Sequence, residues 1–411
     1  MSAAGGPNLV EDGLVFYYDT GNVVKSYKGE PTTNLVTNPT FLGTPNTQTG
    51  GPSRNWVFSG ESSATGFQFY DADTSPIPLK FPDEGAVITT GPNGAGSNRR
   101  IYINTTLLPN TTYTFSCWMY FGKSFQSAWS QFQYDSSGTN LTSTYFPDFS
   151  TFAANNGYTT GEWFKWEGTL TTEPTTSWCY IGPVISKGSD CLVAMQRMQM
   201  EIKPHSTSFV NGTRSNTEGL LDVTGNSSID LANVSFDSNA QMTFDGTDDY
   251  IETADSSLLD LTTNMSFEFV VNVDNSQGNL YPRLIDKGSA YLIHINQEAP
   301  FGVYHNIYTS AGLRQTGTTS SIIEPNTWNH IVVTYDSQIG KIYINGELVR
   351  ERDYGSPLDC STNSSPVRIG GNGDTSRPLN GLLPVTKIYN RALTASEVAS
   401  NFNGIRSRFG I

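Results

Sequence analysis

Few of the acidic residues in this 411-residue chain stand where they could act as a catalytic pair. Retaining hydrolysis of a glycosidic bond needs two carboxyl groups about 5 to 5.5 Å apart, one as nucleophile and one as acid. A single strand supplies them through the pattern E-x-D-x-x-E, which does not occur here. Its nearest imitation, Glu252 and Asp255 in ETADSS, lacks the third acid and reads as a turn. The histidines are His205, His294, His305 and His330, and His330 falls within the alternating run NTWNHIVVTYD as a strand residue rather than a base. No G-x-S-x-G elbow, H-E-x-x-H helix or phosphate loop is present. The expectation is a protein that is not an enzyme.

Two other groupings could bind rather than react. Asp245, Asp248 and Asp249 cluster around a glycine in FDGTDDY, and hard oxygen ligands from one loop suit calcium, which takes 6 to 8 oxygens. An Asp-Gly turn held by Asx hydrogen bonds explains the same residues without a metal, and it is the reading the composition favours. No cofactor is required by the sequence, and calcium at this trio is the one candidate. Sugar recognition asks for an aromatic face beside amide or carboxylate groups. The polar, Asn/Thr-rich run 136–163 offers Tyr145 and Tyr158, and Trp129 in SAWSQFQYD could line a concave face. Each of these also has a plain role in packing, because a sandwich buries many aromatics. Trp163 and Trp328 open core strands and belong to structure.

The elements that must hold these groups follow from composition. Only 15% of residues are charged while 12% are aromatic, with 39 Gly and 21 Pro, a balance of short strands and turns rather than helices. The length fits two domains. A formal charge of −14 with scattered basic residues excludes a nucleic acid and an anionic membrane surface as partners. No apolar run approaches the roughly 20 residues that span a bilayer, and MSAAGGPNLVEDG is not a secretory signal. Cys117, Cys179, Cys191 and Cys360 lack ligand spacing and read as buried free thiols.

Alternation marks the strands. In LVFYYD, Leu14, Phe16 and Tyr18 would line one face and Val15 and Tyr17 the other. Tyr113, Phe115, Cys117 and Met119 alternate in one run, and Met265, Phe267, Phe269, Val271 and Val273 in another, where Ser266, Glu268 and Asn272 face out as in half-buried strands. Asn345-Gly346 between alternating runs specifies a two-residue type I′ hairpin. Helix is nearly absent except for TASEVASNF, where Thr394 and Glu397 form a capping box. No heptad repeat is sustained, so a homo-oligomer would have to use the sandwiches or the first dozen residues.

The segments MTFDGTDDYIETADSSLLDLTTNMSFEFVV, NTWNHIVVTYD, KIYINGELV, VRIGGNG and KIYNRALTASEVASNF resemble, in order, the laminin G-like, concanavalin A-like jelly-roll family. Such domains commonly begin with a strand like GLVFYYDTGN followed closely by a segment like LLDVTGNSSIDLANVSF, yet here the two lie far apart. The resemblance therefore implies an all-β protein of two antiparallel β-sandwiches, one inserted into the other. Residues 1–32 would supply the first strand, 33–213 an inserted jelly roll, and 214–411 the remainder, with the first strand lying against 385–393. The inserted part, from NLVTNPTF to MQMEIKPHSTSFVNGTRS, is similar to carbohydrate-binding modules, and its closing phrase resembles modules of bacteriophage tail and other virion proteins. ALTASEVASNFNGIRSRFG likewise resembles the ends of phage laminin G-like structural proteins. The resemblance implies a virion structural protein at the particle surface, a fibre, tail adhesin or capsid decoration. Its partners would be other virion proteins and host cell-surface polysaccharide. The alternatives are a purely structural virion protein and a polysaccharide-degrading enzyme.

Overall fold

The computed structural model describes residues 9–42, 56–59, 68–92, 99–123, 127–145, 149–185, 190–278, 281–318 and 322–411. At 56–59, 91–92, 99–100, 102–104, 127–132, 142–145, 149–151 and 180–185 it describes the backbone alone. The chain forms two compact units, Met1–Pro31 with Ser215–Ile411, and Thr32–Arg214. Both are built from antiparallel sheets, so the protein is all-β.

In the larger unit one sheet runs, in spatial order, Ser235–Phe236, Met242–Asp245, Asn380–Tyr389, Met265–Val273, Trp328–Tyr335, Ile339–Ile344 and Glu347–Asp353. The other runs Ile229–Asn233, Tyr250–Thr253, Val367–Ile369, Arg283–Asp286, Tyr291–Ile295, Val303–Thr309 and Gly312–Gly317. Their inner faces interdigitate: Phe267, Phe269, Ile331 and Val333 of the first meet Ile285, Ile293, Ile307 and Ile369 of the second in one core. Phe267 and Tyr291 lie with ring centroids 4.9 Å apart across it.

The strand Leu14–Asp19 pairs with Asn380–Tyr389, with Phe16 opposite Ile388 and Tyr18 opposite Thr386. A bulge between Leu14 and Phe16 breaks the expected alternation. Val15, Phe16 and Tyr18 all enter the core between the sheets, while Leu14 and Tyr17 turn to the opposite face. Leu14 therefore does not share a face with Phe16, because one extra residue reverses the pleat.

That opposite face is covered by the helix Ala395–Phe409, which is longer than the nine residues its sequence signal suggested. Thr394 caps it, with the Thr394 hydroxyl accepting from Glu397 N and the Glu397 carboxylate accepting from Thr394 N. Such a cap stabilises a helix by about 1 kcal/mol. Val398 and Ile405 bury against Tyr389, Val332, Val270 and Val385, each adding about 1.5–3 kcal/mol. Met265–Val273 is consequently buried on both faces rather than half-buried, and Glu268 is fully enclosed. Its carboxylate accepts from Lys387 Nζ at 2.8 Å and Asn401 Nδ2 at 2.6 Å, and His330 Nε2 stands 3.2 Å away. The hairpin at Asn345-Gly346 has φ of 51° and 84°, the two positive values a type I′ turn requires.

The smaller unit has one sheet in the order Trp163–Thr171, Thr112–Phe121, Asp190–Glu201, Ala86–Pro92 and Gln68–Tyr70. Its other sheet runs Trp56–Ser59, Arg99–Thr106, Trp178–Ile185, Ser127–Tyr134 and Asn140–Tyr145. Tyr113, Phe115, Cys117 and Met119 share its core with Trp166, as their alternation implies. Thr32–Thr33 pairs with Thr213–Arg214, which holds the two ends of this unit together. A short helix, Phe149–Asn155, lies within the polar, Asn/Thr-rich run 136–163. Its residue Phe152 packs on the core, so the apolar contact overrides the weak local propensity. All four cysteines are buried and none is in a disulfide.

Candidate functional site

The aromatics singled out in the sequence belong to the smaller unit. Trp129 stands on Ser127–Tyr134 opposite Pro183, and Tyr145 ends Asn140–Tyr145 opposite Ser130. The side chains of both lie outside the described residues. Tyr158 follows the short helix, and its ring stacks on Phe164 at 4.9 Å with Phe152 at 6.4 Å. One face of Tyr158 is thus taken by core packing rather than offered as a platform.

Asp245, Asp248 and Asp249 do converge, with one carboxylate oxygen from each within 4.8 Å of the others. Asp249 is buried, and its two oxygens accept from Ser235 Oγ at 3.0 Å and Asp245 N at 2.8 Å. Asp245 Oδ1 accepts from Thr247 N at 2.8 Å, and Gly246 takes a φ of 77°. These are the bonds of an Asx turn. Burial, with the neighbouring Asp245 and Asp248 charges adding to it, pushes the Asp249 carboxyl up to about 6. A calcium ion here would meet three carboxylate oxygens where it takes 6 to 8 ligands.

A surface recess with a mixed aromatic and polar lining lies elsewhere, on the outward face of the seven-stranded sheet. Along Tyr291–Ile295 and Val303–Thr309 the residues Tyr291, Ile293, Ile295, Val303 and Ile307 point into the core. Alternation sends Leu292, His294, Tyr304, Asn306 and Tyr308 the other way. Register then builds cross-strand rows: Arg283 opposite His294 opposite Tyr304, and Leu292 opposite Asn306 opposite Gln315. With Tyr281 at the edge these residues line a recess of about 300 Å³.

Its floor is aromatic. Tyr304 stacks on His294 at 5.0 Å with 10° between the planes, and Tyr281 meets His294 edge-on at 5.2 Å. Tyr281 is 45% exposed. The Arg377 guanidinium lies 5.6 Å from its ring centroid, close enough for a cation–π contact. Tyr304 can lie down because residue 317 is glycine: a Cβ there would stand 2.4 Å from Tyr304 Cδ1. Polar groups sit beside the floor, with Gln315 Nε2 donating to Asn306 Oδ1 at 2.9 Å. Arg283 Nε donates to Asp286 Oδ2 at 2.9 Å and its Nη1 to Tyr281 O at 2.8 Å. Burial, reinforced by the Arg283 and Arg377 charges, pulls the His294 imidazole down to about 4, so it is neutral at pH 7.

The acids of the sequence's imitation pair are both engaged by cations. Glu252 Oε2 accepts from Arg368 at 2.7 Å and Asp255 Oδ1 from Lys287 at 2.5 Å. None of the groove-lining residues was singled out from sequence. The signal in YLIHI and VYHNIYT was partial: the outward positions carry His294, Tyr304, Asn306 and Tyr308, but Leu292 shares that face and His305 lies on the inward one.

Residues 245–399 match the family described as the concanavalin A-like lectin/glucanases superfamily. The larger unit therefore carries a concanavalin A-like fold. No curated protein sequence matches the chain. Among solved structures it is similar to the binding domain of Paraclostridial mosquitocidal protein 1, at 17% identity and a TM-score of 0.37 over 44% of this chain and 49% of that one. It is similar to the ligand binding domain of botulinum neurotoxin serotype D, solved with N-acetylneuraminic acid, at 14% identity and 0.37 over 46% and 49%. The binding domain of botulinum neurotoxin serotype G matches at 19% identity and 0.38 over 45% and 48%. The matches thus span about half of each chain's length.

Proposed function

We propose that this protein binds surface glycans without cleaving them, and that the recess on the seven-stranded sheet is where it does so. The observation that carries this reading is the exposed Tyr281 beside the stacked His294–Tyr304 pair, with the Asn306–Gln315 amides next to them. A pyranose stacks its C–H face on such a ring while amides pair its hydroxyls. Arg283 and Asp286 restrain one another at the rim, and a retaining hydrolase would need a second carboxyl about 5 to 5.5 Å from the first. The engagement of Glu252 by Arg368 and of Asp255 by Lys287 supports a non-enzymatic role.

The wider role in this proposal is a virion structural protein, a fibre, tail adhesin or capsid decoration contacting other virion proteins and host polysaccharide. Its support is the resemblance of MQMEIKPHSTSFVNGTRS and ALTASEVASNFNGIRSRFG to phage structural sequences. Single glycan contacts are weak, and many copies on one particle raise avidity by about 10² to 10⁴ when geometry allows simultaneous engagement. A glycan array probed with the whole chain tests the binding reading. Signal that disappears in Tyr281→Ala supports it, and a blank array for the unaltered protein leaves a structural role through protein contacts. Imaging the intact particle with this chain located tests the virion role.

A further inference from the structure

The turn between Arg283–Asp286 and Tyr291–Ile295 carries a lysine whose side chain is fully buried. Lys287 Nζ meets four oxygens from two separate segments: Asp255 Oδ1 at 2.5 Å, Asn363 O at 2.9 Å, Ser365 O at 3.0 Å and Asp260 Oδ1 at 3.2 Å. An ammonium has three N–H donors, and three of these oxygens take them. The fourth, Asp260 Oδ1, is buried with no hydrogen-bond partner and keeps only its charge contact with Lys287.

A ring of four oxygens around three donors is a poor match to an ammonium and a good one to a spherical ion. Charge says the same. Two carboxylates around one ammonium leave the cage at −1, where a divalent cation would bring it to zero. The donors are all hard oxygens, two carboxylates and two backbone carbonyls, the set that calcium takes. The Asp255 and Asp260 side chains are 32% and 29% exposed while the Lys287 side chain and Asp260 Oδ1 are buried, so water to complete 6 to 8 ligands would enter only where the ammonium leaves. The backbone is fixed independently of the ammonium: Asn363 Nδ2 donates to Lys287 O at 3.0 Å, and Asn363 Oδ1 accepts from Ser365 N at 2.9 Å.

We propose that this cage is a divalent-cation site which the chain fills with its own ammonium. Lys287 does the work of the metal, so the hairpin that carries Arg283 and His294 is braced without calcium. Taking the ammonium away opens a calcium site.

The test uses the full chain with Asp245→Asn and Asp248→Asn as background, which removes the other acidic cluster. Calcium chloride is titrated calorimetrically and thermal unfolding is followed in EDTA and in about 5 mM calcium, above the Kd of about 10⁻⁴ to 10⁻³ M usual for weak oxygen sites. The background protein is expected to take up no calcium and to unfold at the same temperature in both buffers. Adding Lys287→Ala is expected to lower that temperature in EDTA, restore it in calcium and give uptake of one ion per chain. Lys287→Met, which refills the space with an uncharged chain, is expected to stay blind to calcium. The proposal is overturned if folded Lys287→Ala takes up no calcium, if it stays unfolded in both buffers, or if Lys287→Met responds as strongly.

Discussion

Asn401 Nδ2 donates to Glu268 Oε2 at 2.6 Å across 133 residues of sequence, and Asn401 Oδ1 accepts from Val10 N at 2.8 Å. One amide thereby ties the C-terminal helix to a buried charge and to the segment that precedes the first strand. Glu268, Lys387 and His330 are all enclosed beneath that helix, where an unpaired charge is expensive. Lys387→Met should therefore destabilise the protein by about 3–5 kcal/mol by stranding Glu268, read as a lower urea midpoint. Combining it with Glu268→Leu should recover part of the loss. Equal and additive losses would mean the two charges act separately.

Gly317→Ala should abolish glycan binding while leaving the fold intact. A Cβ at this position would stand 2.4 Å from Tyr304 Cδ1 and push the ring off His294. Tyr304 is only partly buried, so the ring can swing outward and the cost to stability should stay at about 0.5 kcal/mol, the range of ordinary surface changes. Retained binding with an unchanged melting temperature would separate Tyr304 from the site.

Acid should weaken the larger unit well before it titrates ordinary carboxylates. Burial lowers His294 to about 4 and His305 to about 3, against 6.5 in an unfolded chain. A depressed folded value means the unfolded state binds more protons, so this stabilisation is complete above 6.5 and is lost progressively as pH falls below it. Burial alone would raise Glu268, but Lys387 and His330 hold it below its usual 4.5, so a further loss sets in as pH falls through that range. Chemical denaturation at a series of pH values should give falling stability between pH 6.5 and 4, and His294→Gln should flatten part of the slope. A flat profile there would refute the burial of these rings.

Native thiols should be inert. Burial raises Cys117, Cys179 and Cys360 far above the ordinary thiol range, and all four cysteines are buried with none in a disulfide. A disulfide-exchange reagent should label none in the folded protein and four after denaturation. Fast labelling of the native chain would contradict this.

What could be read in the residues was local. Period-two alternation located Tyr113–Met119 and Met265–Val273, positive φ at Asn345-Gly346 follows from residue type, and Thr394 with Glu397 announced the helix start. What could not be read depends on partners distant in sequence. Glu268 looks solvated until a helix more than a hundred residues away covers it. The recess needs Arg283, His294, Tyr304 and Gln315 brought side by side by register across four strands, and no spacing within one strand encodes that. Leu14 changes face because of a bulge that no residue type signals.

The most direct test is photoaffinity labelling. A glycan that scores on the array would be made with a photoreactive group, cross-linked to the full chain and mapped by mass spectrometry. The account predicts labelled peptides within residues 281–317, lost in Tyr281→Ala. Labels confined to residues 127–163, where Trp129, Tyr145 and Tyr158 lie, would contradict it.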